Sequence, residues 1–237
     1  SDAHDEMLFI VQHQTSELWM RLSLHELNAA RVAIRTDALP EAFKLLSRVS
    51  RIFEQLNNAW DVLRTMTPSD YTRFRDSLGQ SSGFQSHQYR MIEFVLGNRN
   101  LAMLKPYKHS ADVSAMFANE LGQMSIYGEA LMAAKRLGHR VPEQKPEDRP
   151  RSSDPTVIAL WKTVYEDTET HWSMYELAEK MVDLEDYFRR WRFNHVTTVE
   201  RVIGLKRGTG GTGGVSYLRR MLEVQLFPEL WEVRTEL

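Results

Sequence analysis

The chain has 237 residues, enough to bury one large core without disulfide or metal staples, and 42% of it is hydrophobic and 26% charged. A net charge of −2 provides no basic field for nucleic acid or an anionic membrane, and no unbroken apolar run is longer than that of Met7 to Val11, far too short to span a bilayer. The complete lack of cysteine rules out disulfides, iron–sulfur clusters and thiolate ligation of zinc or haem, so any metal must be held by histidine, carboxylate or tyrosine.

The dominant period along the chain is helical. Asp5 to about Arg35 reads as one long helix, with Asp2 as its N-cap and Leu8, Val11, Thr15, Leu18 and Leu22 at three- and four-residue steps facing inward. A second helix is expected from Pro40 to Met66, with Phe43, Leu46, Val49, Leu56, Trp60 and Leu63 inward, ended by Thr67-Pro68. Ser69 to Ser77 reads as a short helix capped by Ser69. A polar loop bounded by Gly79 and Gly83 follows, then helix from Phe84 to Leu96, stopped at Gly97-Asn98. Ala111 to Leu137 is expected to be one long helix. Residues 141–155 hold four prolines and many charges and read as a surface loop inside one domain spanning 1–237. Helix resumes over Thr156–Asp167 and His171–Ile203, breaks at the glycine-rich stretch 208–214, and ends in short helices over Tyr217–Leu226 and Pro228–Val233. No strand alternation competes, so the class is all-α, a bundle of long helices.

None of the eight histidines follows a glutamate by three positions, so the Glu-x-x-His motif of di-iron bundles is absent. His195 shares steps of three and four with Phe188, Trp191, Val199 and Val202, which puts it on the apolar stripe of its helix. A histidine there is either a satisfied core residue or a ligand, and with no cysteine and abundant aromatics the metal it suits best is an axially bound haem iron. His13 stands four residues after Phe9 and shares its face; the pair is either a helix flank or one wall of a pocket. Tyr71 and Arg75 are also one turn apart and are either a surface pair or a carboxylate clamp. The stretch GTGGTGG at 208–214 lacks the lysine and preceding strand of a phosphate loop; its backbone can close over a small ligand, with Thr209 or Thr212 as a contact, or serve as a linker. Arg189, Arg190 and Arg192 are expected on a solvated helix face, with anionic groups such as haem propionates as another use.

Three segments together, HDEMLFIVQHQTSELWMRL (4–22), SGFQSHQYRMIEFVLGN (82–98) and HVTTVERVIGLKRGTGGTGGVSYL (195–218), resemble the tryptophan 2,3-dioxygenases, in the same order over essentially the whole chain. That resemblance implies an indoleamine/tryptophan dioxygenase-like helical fold with a haem pocket. It implies one b-type haem per subunit, and cleavage of the indole C2–C3 bond of L-tryptophan by O2 to N-formyl-L-kynurenine, the first step of kynurenine-pathway catabolism. His195 matches the axial iron ligand, and His13 the distal catalytic histidine. Phe9, Tyr71, Arg75 and Thr209 match substrate contacts; Ser82, Gly83 and Trp60 match positions lining the haem. A cytoplasmic homotetramer is implied in the same way. The N-terminal aromatic segment of the family is not seen before Ser1. Rival readings are an indoleamine dioxygenase-like enzyme, a haem-based gas sensor, and a helical interaction module without haem.

Overall fold

The computed structural model describes residues 1–79, 83–146, 153–206 and 215–237. Among them are ten α-helices and no strand, as the helical period predicts. Helix α1 (Glu6–Arg35), α2 (Leu39–Leu63) and α8 (Trp172–Ile203) form the frame, with α2 packed along both of the others. Between them in chain order come α3 (Pro68–Phe74), α4 (His87–Leu96), α5 (Ala111–Leu121), α6 (Ile126–Arg136) and α7 (Pro155–Glu166). The short α9 (Val215–Met221) and α10 (Pro228–Glu232) close the chain.

Local chemistry explains most boundaries. Pro40 occupies the first turn of α2, where its missing N–H costs nothing. The side chains of Ser86, Ser110, Ser125 and Asp154 accept a backbone N–H at the starts of α4, α5, α6 and α7. Four expectations are corrected. The N-cap of α1 is Asp5 rather than Asp2. Thr67, not Ser69, caps α3, in a reciprocal box with Asp70. Residues 101–107, not expected to be regular, form a 3₁₀ helix begun by the Asn100 side chain. The single helix expected over Ala111–Leu137 is two, because Gly122 caps α5 and the Ser125 hydroxyl accepts the Gly128 N–H to start α6.

The largest correction concerns α1. Of the stripe expected to face inward, Leu18 is 72% exposed, Val11 50% and Leu22 37%. The buried face is the other apolar one, Met20, Leu24, Leu27, Ala30 and Ile34, which continues the face of Phe9 and His13. The N-terminal half of α1 carries two apolar stripes, and periodicity alone cannot say which meets the bundle.

Charge is also buried. Arg192, expected on a solvated face, is 3% exposed; its guanidinium donates to Glu93 at 2.7 Å, to the Tyr89 hydroxyl at 3.2 Å and to the Val224 carbonyl at 2.8 Å. Arg90 is the second cation on Glu93. Arg31 and Arg99 share Glu120 in the same manner, at 2.6 and 3.2 Å. Each central carboxylate is thus paired twice, which is what makes its burial tolerable.

Candidate functional site

Two aromatic clusters hold the described site residues. The first lies on α1 and α3. Phe9 stacks against His13 with ring centroids 4.2 Å apart, and the same ring meets Phe74 at 5.6 Å and Tyr71 at 6.0 Å. The His13 Nδ1 lies 2.7 Å from the Phe9 carbonyl oxygen. A carbonyl can only accept, so Nδ1 carries the hydrogen, and in the neutral ring Nε2 is left as an acceptor.

Tyr71 is buried, and that burial raises its phenol pKa, with the Arg75 charge opposing the rise. The hydroxyl therefore stays a donor at neutral pH. Arg75 follows one turn later, at the start of a short 3₁₀ helix, its backbone N–H bonded to the Tyr71 carbonyl. The Thr67–Asp70 box fixes the start of this turn: Asp70 accepts from the Thr67 N–H at 3.0 Å while its own N–H reaches the Thr67 hydroxyl at 3.3 Å.

The second cluster lies on α2 and α8. The Trp60 ring is stacked on His195 at 5.1 Å with planes 17° apart, and Trp191, one turn before His195, meets it at 5.4 Å. Trp60 and Trp191 meet each other at 5.6 Å. The Trp60 Nε1 is a buried donor without an acceptor among the described residues. Removal of water by these apolar rings lowers the His195 pKa to about 4, and the charge of His13 pushes the same way. His195 is therefore neutral at pH 7, the form that ligates metals.

Phe9, His13, Tyr71 and Arg75 thus fall together, as do Trp60 and His195. Gly83 begins a 3₁₀ turn before α4 and is exposed, and a side chain there would meet nothing within 4 Å. Ser82, Thr209 and the rest of the glycine-rich stretch lie outside the described residues. Phe74 was missed as a member of the first cluster, although it stands three residues after Tyr71. A cavity of about 410 Å³ lined by His139, Arg140, Pro155, Thr156, Ala159, Leu160 and Thr163 shares no residue with either cluster.

The model of the tryptophan 2,3-dioxygenase family matches residues 1–148 and 128–237, which together take in the whole chain. The tryptophan 2,3-dioxygenase of Bradyrhizobium diazoefficiens is 67% identical over 99% of this chain and 85% of its own length. That of Ruegeria pomeroyi is 67% identical over the full chain and 86% of its own length, and that of Cupriavidus necator 58% over the full chain and 82% of its own. A match of this extent, on an all-helical frame, means that the chain belongs to the tryptophan 2,3-dioxygenase family.

Proposed function

We propose that this protein is a haem-dependent enzyme that cleaves the indole C2–C3 bond of L-tryptophan with O2, giving N-formyl-L-kynurenine as the first step of the kynurenine pathway. The observation that carries the reading is the buried histidine of α8, His195, stacked on Trp60 and walled by Trp191 with no competing hydrogen bond among the described residues.

The residues fit a haem. His195 would hold the haem iron through its neutral imidazole, and Trp60 and Trp191 would offer flat apolar surface beside it. The orphaned Trp60 N–H is a buried donor suited to an anionic edge such as a propionate. When bound, the haem supplies the iron centre at which O2 is activated for insertion into the indole. Ser82 and Gly83 would line its distal side.

The chain's own residues bind and orient the amino acid. The Arg75 guanidinium presents a planar fork to the substrate carboxylate, and the protonated Tyr71 adds a donor. Thr209, which lies outside the described residues, is assigned to the ammonium end by the family resemblance alone. Phe9 packs on the indole, and His13 Nε2 accepts the indole N–H. His13 is cast as a positioner, because the indole N–H is a very weak acid and needs no base for orientation. The aromatic rings exclude water from the reacting atoms.

Self-association as a homotetramer is part of the proposal, supported by the exposed apolar stripe Met7, Val11, Leu18 and Leu22 on α1. So is a cytoplasmic location; no helix among the described residues is long and apolar enough to cross a membrane.

The test is to load the protein with haem, reduce it, and add L-tryptophan in aerated buffer, following product by absorbance and mass. Formation of N-formylkynurenine that requires haem, O2 and the L-isomer supports the reading. Haem binding without turnover would instead favour a gas sensor, and absence of haem binding would return His195 to the role of a core histidine.

A further inference from the structure

The ring of His195 makes no hydrogen bond to any described residue; its ring contacts are the stacked Trp60 and the tilted Trp191. Its direction must therefore be set by the turn of α8 that carries it. That turn is held from α2 by a row of residues at steps of three and four, Asn57, Trp60 and Arg64. Asn57 donates to the Tyr187 carbonyl at 3.1 Å and accepts from the Asn194 amide at 3.0 Å. Trp60 stacks on the histidine itself.

Arg64, just past the last residue of α2, spreads its guanidinium over the same turn. Its Nε donates to the Thr198 hydroxyl at 2.9 Å and Nη2 to the Asn194 carbonyl at 3.4 Å, and Nη2 also bonds the Thr197 hydroxyl. The Thr197 hydroxyl spends its own hydrogen on the Phe193 carbonyl at 3.0 Å, so it is an acceptor towards Arg64. One planar cation thus brackets His195 from the residue before it to the third residue after it. A flexible ammonium would not impose the same two-pronged geometry.

We propose that Arg64 is a positioning residue for the axial histidine, fixing the height and rotation at which the His195 imidazole meets the haem iron. The inference rests on the haem reading given above.

The experiment is resonance Raman spectroscopy of the reduced haem-loaded protein, reading the iron–histidine stretch, with the reduction potential and steady-state kinetics measured alongside. Arg64→Met keeps most of the stem and removes the fork. It is expected to bind haem, to shift or broaden the iron–histidine band, to move the potential, and to lower kcat about tenfold while the KM for L-tryptophan stays nearly unchanged. Arg64→Lys should recover part of each change, since one hydroxyl remains within reach of an ammonium. Thr198→Val removes the 2.9 Å bond from the other side and should shift the band in the same direction, which covers the case of a misfolded Arg64 variant. An unaltered band and potential with only a lowered melting temperature would overturn the proposal and leave Arg64 a stabilising link. If the unsubstituted protein shows no iron–histidine band the haem reading itself fails, and if His195→Ala retains one the assignment of His195 as the ligand fails; in either case the proposal falls with it.

Discussion

The Phe9 carbonyl takes the hydrogen on His13 Nδ1 and so leaves a single nitrogen, an acceptor, for a substrate. If His13 only holds the indole, His13→Ala keeps measurable turnover with a raised KM. Complete loss of kcat with substrate binding intact would make the residue a proton carrier instead. Arg75→Ala should act mainly on binding. Loss of a charge-assisted bond costs about 1.5–3 kcal/mol, so the KM for L-tryptophan should rise by roughly 10- to 150-fold with kcat less affected; an unchanged KM would remove the clamp. At this scale the sequence is informative where partners are one turn apart. Phe9 with His13, and Tyr71 with Arg75, are pairs any helix would juxtapose. The stacking of Trp60 on His195 is not legible, because it joins residues on different helices, and no spacing encodes which faces meet.

The elements show the same division. Long helices and their proline and glycine stops follow from local rules, as in the Pro40 start of α2 and the Gly204 stop of α8, where φ is 59°. The split between α5 and α6 went unseen because apolar spacing continues across a capping serine. The α1 error has a different origin: its two apolar stripes have equal local claims, and only the position of α2 decides. A prediction belongs here to α3. Hydrogen bonds from the Thr67 hydroxyl, then from its backbone N–H, hold the Asp70 carboxyl below its usual value of 3.8. A depressed carboxyl gives stability that is full above 3.8 and lost as pH falls through the lowered value. Thr67→Ala should therefore weaken amide protection over residues 70–74 at pH 6, and the two proteins should converge at acidic pH. Hydrogen exchange reads this directly; equal protection at pH 6 would deny the box a role in holding Tyr71 and Arg75.

Across the whole molecule, α4 and α8 are joined by Glu93, with Arg192 at 2.7 Å and Arg90 as second partner. Glu93→Gln leaves two cations short of their counter-ion inside the core, and the expected loss is about 3–5 kcal/mol in urea denaturation. A loss within the range of a surface substitution would mean that the network rearranges. The outward stripe of α1 makes a separate prediction. Replacing Val11 and Leu18 by glutamate should lower the sedimentation coefficient without lowering helix content; an unchanged assembly would place the subunit contacts elsewhere.

His13 stands on α1 and His195 on α8, and α2 packs along both, so the two halves of the site are brought together only when all three helices are in place. With haem bound as proposed, the cofactor recognises no fragment and no half-folded intermediate, only the finished bundle. By mass action it then adds about 2.7 kcal/mol to global stability at a free concentration one hundred times its dissociation constant, and nothing when it is scarce. Cellular abundance of the protein would therefore follow iron–porphyrin supply through protease susceptibility, with no dedicated sensor beyond the fold itself.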